Sequence, residues 1–355
     1  MSENGNIVAE TAARIFADLA DPQTINSAKS GAWKADLWRA LEDAGLTLAW
    51  VPDTLGGAGA SLSDGFEVLG VAGRFAAPVP IAETLLAGWL LSRAAITSPQ
   101  GALTVVPTRP MDRITLNADD TLSGRARGVP FASDAAHMAV LAHGANGAHV
   151  ALVPTSAARI TAGRTLAGDP LCDVVFDRAK PLQVAVAPAG LDQTAFLLMG
   201  CTVRAVETAG ALEAILTMAV RYANERVAFE RPIAKFQAVQ HNLARLAGEV
   251  SAAMMASGSA ADTMSATNGF GDDTMFLEAA AAKIRTSEAA QEGSAIAHQV
   301  HGAIGFTKEY ILHRYTLRLL GWRDDFGNES HWAVELGNRI AKRGADDLWP
   351  LLASR

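Results

Sequence analysis

Residues 222–244, YANERVAFERPIAKFQAVQHNLA, carry the most specific pattern of charged, aromatic and amide side chains in the chain. Arg226 keeps its positive charge at physiological pH, and its planar fork of donors suits a diphosphate. Phe229 can supply an apolar wall, and Gln237 can supply a neutral amide. These residue types are compatible with a site for a phosphate-bearing cofactor. The alternative is that Arg226 pairs with a surface carboxylate while Phe229 is an ordinary core residue.

A second motif, AHQVHGAIGFTKEYILHRY, occupies residues 297–315. Gly302 and Gly305 allow the backbone to turn tightly and to approach a ligand, because they lack a Cβ atom. Their N–H groups, together with the amide of Gln299, can then face a polar cofactor. The alternative for Gly302 is a helix C-terminal cap, which glycine also favours. We interpret His301 as a packed histidine rather than a catalytic one.

Hydrophobic periodicity divides the chain into three parts. Residues 1–102 read as helices, and WKADLWRALEDAGL at 33–46 shows helical spacing with a stop at Gly45. Residues 103–186 contain short β-rich runs between turn residues, which predicts a small antiparallel sheet. Residues 187–355 return to a helical pattern. We therefore predict an α+β fold, mostly α, with an N-terminal helical domain, a central small β-domain and a C-terminal four-helix-bundle-like domain.

The clearest helix of the third part is VQHNLARLAGEVSAAMM, residues 239–255. Its apolar residues recur at helical spacing and predict one buried face. A polar connection, SATNGFGDD at 265–273, and a further helix over 274–300 follow. The predicted face consists of Val239, Leu243, Leu246, Val250 and Met254.

Composition excludes several classes of function. The net charge of −7 argues against a nucleic-acid surface, because phosphate binding needs clustered Lys and Arg. Half the residues are hydrophobic, so a large core is expected. Cys172 and Cys201 are predicted to be free thiols rather than a disulfide. The N-terminus is unlike a signal peptide, and no apolar run approaches the roughly 20 residues of a membrane span. We expect a cytoplasmic protein without membrane insertion, and no metal site is predicted.

Three segments together resemble the acyl-CoA dehydrogenase family of flavoproteins. LEDAGLTLAWVPDTLGGAGAS at 41–61, followed by GRFAAPVPIAETLLA at 73–87, looks like the family's N-terminal pattern. Residues 222–244 are similar to Y-x-x-x-R-x-x-F-G-x-P-I-x-x-F-Q-x-x-Q-x-x-L. Residues 297–315 are close to Q-x-x-G-G-x-G-F-x-x-E. The segments occur in the family's order across nearly the whole chain.

The resemblance implies an FAD cofactor and an acyl-CoA thioester substrate, with electrons leaving to an acceptor flavoprotein or a quinone-linked chain. In the family, the arginine, phenylalanine and glutamine of the first motif touch the FAD of a neighbouring subunit. A homo- or hetero-oligomer is therefore implied. The residues assigned to the cofactor by resemblance are Arg226, Phe229, Gln237, Gln299, Gly302, Gly305 and Asn328.

The base that family chemistry needs is missing from both of its usual positions. Most members place a glutamate directly before a Gly-Thr pair. Counting on from the second motif puts Gly327 and Asn328 on that pair and Phe326 on the base. A second branch carries its glutamate on an earlier helix, 22 residues before Tyr222, which leads here to Gly200. Neither a phenyl ring nor a glycine can accept a proton.

The charged stretch GWRDDFGNESHW, residues 321–332, surrounds the first of these positions. Asp325 adjoins Phe326, and Glu329 lies two residues past the glycine, so both are catalytic candidates. The alternative is a solvated, charged loop at a helix start, with an Asp or Asn cap. Glu207 lies two turns beyond the second position, where a direct role would need a different geometry.

Three functions therefore remain open. The first is an active FAD-dependent acyl-CoA dehydrogenase that uses Asp325 or a neighbouring carboxylate. The second is a non-catalytic or half-site subunit of a heteromer, whose partner supplies the base and flavin contacts. LTVVPTRPMDRITLN at 103–117 favours it, because it lacks the family's T-E-P-x-x-G-S-D-like segment. The third is a CoA-thioester-binding protein without redox activity. We favour family membership in one of the first two forms.

Overall fold

The computed structural model describes residues 3–28, 30–270 and 273–353. The N-terminal part is helical, as predicted, and the third helix ends just before Gly45, which adopts φ +71°. A positive φ is a conformation that glycine adopts without a steric penalty. The helices are α1 (Glu3–Leu19), α2 (Pro22–Ser27), α3 (Trp33–Asp43), α4 (Leu62–Phe75) and α5 (Ile81–Arg93).

A mixed sheet of eight strands follows, in the order β6-β7-β3-β2-β4-β5-β8, with β1 paired to β4. The expectation of an antiparallel sheet is correct for most neighbours but wrong for β1 and β2, which both run parallel to β4. The strands are β1 (Leu103–Val106), β2 (Arg113–Leu116), β3 (Leu122–Pro130), β4 (His137–Gly144), β5 (Gly147–Pro154), β6 (Arg159–Thr161), β7 (Leu171–Ala179) and β8 (Gln183–Val186).

β1 and β2 pair with successive parts of β4. Leu103 lies opposite His137, and Thr115 lies opposite His143. Parallel neighbours cannot be joined by a tight hairpin, and β3 accordingly intervenes in sequence between β2 and β4. The chain at 107–112 leaves the sheet between β1 and β2. This loop is the part of the sheet domain that reaches the helices described next.

The C-terminal part is a helical bundle in which α6, α7 and α8 pack on one another. Small residues permit their close approach. A Cβ atom on Gly293 of α8 would lie 2.9 Å from a methyl group of Leu212, so glycine leaves the space that this leucine fills. The elements are α6 (Gln193–Glu225), a hairpin of β9 (Val227–Ala228) and β10 (Arg231–Pro232), α7 (Gln237–Thr267), α8 (Asp273–His301), α9 (Leu312–Trp322), α10 (Glu329–Arg343) and α11 (Leu348–Ala353).

The predicted apolar face of α7 is only partly correct. Leu246 and Val250 are buried, Val239 and Leu243 are half-buried, and Met254 is 40% exposed. The buried residues of α7 are spaced alternately four and three residues apart. Val250 already lies four residues after Leu246, so Met254, a further four residues along, falls outside the buried stripe. The stripe continues instead through Ala253, Ser257, Ala260 and Met264.

The central helix of the fold is α6, which has 33 residues and is apolar enough to cross a membrane by length and composition. The expectation that no apolar run approaches a membrane span is therefore wrong for this helix. However, 94% of its most apolar window is buried inside the protein. Such burial is typical of a core helix, and α6 contacts α4, α7 and α8.

Candidate active site and cofactor-binding edge

The residues of the first motif lie on the surface where α6 ends. Arg226 follows the last turn of α6, and its N–H donates to the carbonyl of Tyr222 at 2.8 Å. Phe229 sits at the tip of the β9–β10 hairpin with φ +50° and is 89% exposed. Gln237 begins α7 and is also exposed. The alternative that Phe229 is a core residue is therefore wrong, and no ion pair to Arg226 is found among the described residues.

The second motif meets the first through stacked rings. Tyr222 stacks on His301 with ring centroids 4.6 Å apart, and His301 shares a hydrogen bond of 3.1 Å with the Tyr310 hydroxyl. His301 is buried, as expected, and burial lowers its pKa. Gly302, at φ +64°, follows the end of α8 as a C-terminal cap would, and Gly305 is buried against His301.

These contacts bring the two motifs to one surface, which we call the cofactor edge. It comprises the exposed residues Arg226, Phe229, Gln237, Gln299 and Gly302. Two further residues assigned to the cofactor lie outside this edge. Gly305 is buried beneath it, and Asn328 is exposed but lies on another loop.

A cavity of about 500 Å³ lies where loop 107–112 meets the loop between α9 and α10; we call it the central cavity. Its walls are held by hydrogen bonds. Gln193 donates to the carbonyls of Pro110 and Asp112 at 3.2 and 2.9 Å, and the N–H of Phe326 donates to the carbonyl of Thr108 at 3.0 Å. The volume falls in the range of small-molecule sites. The walls include Arg109, Gly128, Asp173, Asp324, Asn328 and His331.

Several charged side chains around the central cavity are already paired. The guanidinium of Arg127 donates to Asp112 at 2.7 and 2.9 Å, and these hydrogen bonds raise the pKa of Arg127. Arg125 donates to Asp173 at 2.5 Å and lowers the pKa of that carboxyl. The first pair joins β3 to loop 107–112, and the second joins β3 to β7. Both pairs hold the wall of the cavity.

Arg109 and Asp324 differ from those pairs. Both line the central cavity, and within the described part of the chain neither side chain has a hydrogen bond or ion pair. The guanidinium of Arg109 lies over Gly128, where an added Cβ atom would sit 2.9 Å from a guanidinium nitrogen. The sequence did not single out Arg109. It placed Asp324 in a solvated loop, and Asp324 is indeed exposed at the cavity.

The two positions with a missing base lie in contact with each other. A Cβ atom on Gly200 would sit 2.2 Å from the ring of Phe326. Phe326 is 1% exposed and packs edge-on against Phe196, with ring centroids 6.4 Å apart. Its φ of +58° is unusual for a bulky residue. The carbonyl of Phe326 accepts bonds from Trp332 at 3.1 Å and Cys201 at 3.2 Å, which stabilise this conformation.

Asp325 does not lie in a solvated loop, contrary to that alternative. It is 8% exposed, and its carboxylate accepts a hydrogen bond of 2.8 Å from Arg204 on α6. The same guanidinium binds Glu207 at 2.5 Å and also binds Glu83 of α5. Asp325 does not line the central cavity. We call these four residues the Arg204 cluster.

Glu329 begins α10, as the helix-start alternative expects, and pairs with Arg323. Burial is the largest single influence on the pKa of Glu329 and acts to raise it. The hydrogen bond and charge of Arg323, a backbone hydrogen bond and the charge of Lys283 together outweigh burial and lower the pKa. Asn328 is the N-cap, and its side-chain oxygen accepts a bond of 2.9 Å from the N–H of His331. Asn328 lines the central cavity, whereas Glu329 does not.

The Arg204 cluster has more acidic than basic groups. Burial raises the pKa of Glu83 and raises that of Glu207 to about 7. Burial alone would lower the pKa of Arg204, but the surrounding carboxylates raise it well above its ordinary value. Lys283, whose pKa burial lowers, donates to the carbonyl of Trp322 at 2.7 Å nearby. The cluster therefore holds Arg204 charged and favours a proton on a glutamate.

Both cysteines are free and buried, as predicted. Burial raises the pKa of Cys201 to about 12, so this thiol stays protonated and donates to the Phe326 carbonyl. The thiolate is the reactive form of cysteine, so a Cys201 that stays protonated has a structural role.

Sequence reasoning missed the partnership between Arg204 and Glu83. A signal was present: Glu83 is the single charged residue of the apolar helical run IAETLLAGW, and Arg204 shares the run MGCTVRAVE only with Glu207. A charge within an apolar run is expected to find a partner when it is buried.

Comparison with known proteins places these features in context. The sequence profile described as acyl-CoA dehydrogenase, C-terminal domain, matches residues 192–323. Acyl-CoA dehydrogenase IpdE2 of Mycobacterium tuberculosis is 29% identical over 98% of both chains. The ChsE4–ChsE5 complex of Mycobacterium tuberculosis has a similar fold, with a TM-score of 0.85 at 24% identity over 97% of this chain and 99% of that one. A variant of the Tcur3481–Tcur3483 steroid ACAD gives a TM-score of 0.83 at 28% identity over 96% and 98%.

Proposed function

This chain belongs to the acyl-CoA dehydrogenase family, and from that premise we propose that it serves the FAD-dependent α,β-dehydrogenation of an acyl-CoA thioester. The observation that carries the proposal is the cofactor edge. Two motifs that are far apart in sequence meet there through the stacked rings of Tyr222 and His301. Their polar and aromatic side chains are exposed rather than used in the fold.

The cofactor edge fits one side of FAD. Arg226, which has no ion pair within the described part of the chain, offers its guanidinium to a diphosphate. Phe229 offers an exposed ring, and Gln237 and Gln299 offer amides. When bound, FAD supplies the acceptor for the hydride that leaves the β-carbon of the substrate. An edge open to solvent covers only part of such a cofactor. The other part of the cofactor then needs a second subunit to cover it, and for this reason we propose an oligomer.

A second candidate is a half-site subunit of a heteromeric dehydrogenase. The contact between Gly200 and Phe326 favours it, because both positions of the missing base are filled by groups that cannot accept a proton. The similar ChsE4–ChsE5 structure is a complex of two different chains, which is consistent with such an arrangement. In this form the partner chain would supply the base while this chain supplies Arg226.

Anaerobic bleaching of the flavin tests the proposed function. The purified protein should be yellow, alone or with its partner subunit, and an acyl-CoA should bleach the flavin absorbance. Butyryl-CoA and a CoA thioester with a steroid side chain are suitable probes, the latter because one structural relative is a steroid ACAD. Bleaching only with a partner subunit would select the half-site form. If the protein binds a CoA thioester but neither preparation contains flavin or is bleached, the proposed dehydrogenation is wrong. The remaining function is then CoA-thioester binding without redox chemistry.

Replacing Arg226 by alanine is expected to weaken FAD binding about ten- to hundredfold. A charge-assisted hydrogen bond contributes roughly 1.5–3 kcal/mol, and each 1.4 kcal/mol is about tenfold in affinity. Titration of the apoprotein oligomer with FAD, followed by flavin fluorescence, measures the change. Arg159→Ala is the matched control, since Arg159 is exposed on β6 away from both sites. Equal affinity in the two variants would exclude Arg226 from the flavin site.

A further inference from the structure

Two oppositely charged residues line the central cavity, and neither side chain has a partner among the described residues. Arg109 reaches it from loop 107–112, and Asp324 reaches it from the loop between α9 and α10. No ion pair within 4.0 Å joins these two described residues. By contrast, Asp173 and Arg127 in the same walls are engaged in pairs of their own. The cavity therefore presents one available carboxylate and one available guanidinium to a ligand.

We propose that Asp324 is the base and Arg109 the electrophile of an enolisation site for an acyl-CoA thioester in this cavity. The inference rests on the proposed function and deepens it, because it assigns the α-proton step to residues of this chain. Asp324 lies two residues before Phe326, on the same loop, but on the cavity side of it. Asp325 and Glu329 are held by Arg204 and Arg323 instead.

The chemistry of the step matches the two groups. The α-C–H bond breaks, and its proton forms an O–H bond on the Asp324 carboxylate. The electron pair of the C–H bond forms the carbon–carbon double bond of the enolate, and the carbonyl π pair moves onto the thioester oxygen. Arg109 stabilises that negative oxygen with charge-assisted hydrogen bonds. No electron acceptor is needed for this step, which reverses when the proton returns.

Glycine at position 128 supports the role of Arg109. With a Cβ atom there, the guanidinium would meet an obstacle at 2.9 Å, so glycine leaves room for Arg109 at the wall. The backbone that carries Arg109 is fixed by the bonds from Gln193 to the loop. A preorganised donor stabilises developing charge more than a mobile one does.

Two measurements on the purified oligomer test the proposal apart from flavin reduction. The first is the near-ultraviolet absorbance of the enolate of acetoacetyl-CoA on binding. The second is deuterium incorporation at C2 of butyryl-CoA in D₂O, followed by NMR. We expect Asp324→Asn to slow exchange at least about a hundredfold, in the range for a general base. Arg109→Met should lower the enolate absorbance and slow exchange about a hundredfold, and Arg109→Lys should restore part of it.

Asp177→Asn is the matched control, because Asp177 is exposed on β7 and does not line the cavity. Exchange by Asp324→Asn at the rate of this control would overturn the proposal. If that variant also keeps flavin bleaching, the proposed function stands and the base lies elsewhere. Wild-type protein that bleaches only with a partner subunit and shows no exchange by itself also overturns the assignment. Absence of both exchange and bleaching in every preparation removes the proposed function as well.

Discussion

Replacing Arg204 by methionine is expected to destabilise the fold by about 3–5 kcal/mol, the range for removing one member of a buried ion pair. Arg204 binds Glu83, Glu207 and Asp325, and its side chain is only 4% exposed. Without it, three buried carboxylates lose their shared hydrogen-bond donor. Methionine fills much of the same space, so the change tests charge rather than volume. Urea denaturation followed by tryptophan fluorescence measures the free energy of unfolding.

The loss should depend on pH. Burial raises the pKa of folded Glu207 from the ordinary 4.5 to about 7, so between these values the folded state binds a proton that the unfolded state does not. The contribution of Glu207 to the free energy of unfolding is therefore present at acid pH and is lost as pH rises through about 7. Removing Arg204 shifts the carboxylates further towards protonation. The destabilisation should be smallest near pH 5 and largest above neutrality.

Arg39→Met is the matched control for Arg204. Arg39 also lies on a helix and pairs with an aspartate three residues away, but its side chain is 69% exposed. Exposed pairs of this kind contribute about 0–1 kcal/mol. A loss at Arg204 no greater than at Arg39, or one that does not change with pH, would show that the cluster does not hold the loop by charge.

Local patterns in the sequence predicted much of the fold. The helix over 33–46 ends as expected because glycine at its end is a local signal. β1 and β2 could not be placed in this way, since their pairing with β4 depends on residues far along the chain. The drift of the buried stripe on α7 likewise depends on which helices cover it, and leaves Met254 exposed.

The candidate site divides along the same line. The residues of the cofactor edge were predictable as a group, because they sit in two motifs that resemble the family's; their binding of FAD stays a prediction. The direction of Asp325 was not predictable, because it depends on the positive φ of Phe326 and on Arg204, 121 residues away. The sequence around Arg109 gave no signal either. Arg109 reaches the cavity only because loop 107–112 joins β1 to β2, which both pair with β4.

The contact between Gly200 and Phe326 yields the second large effect. Phe326→Ala should cost about 3–5 kcal/mol, as for other buried phenylalanines. Gly200→Ala should cost about 1–3 kcal/mol despite the higher helix propensity of alanine, because its Cβ atom would meet the ring at 2.2 Å. Gly248→Ala on α7, with no atom within 4 Å of the added Cβ, is the control and should stabilise by about 0.5–1 kcal/mol.

The two changes should not be additive. Once the ring of Phe326 is removed, the Cβ atom added at position 200 enters the vacated space, and Gly200→Ala should become neutral or stabilising by up to about 1 kcal/mol. The resulting coupling of about 1–3 kcal/mol is typical of residues in contact. Denaturation of the two single variants and the double variant measures it. Additive losses would mean that Gly200 is small for another reason, and that the two base positions are not closed by one shared contact.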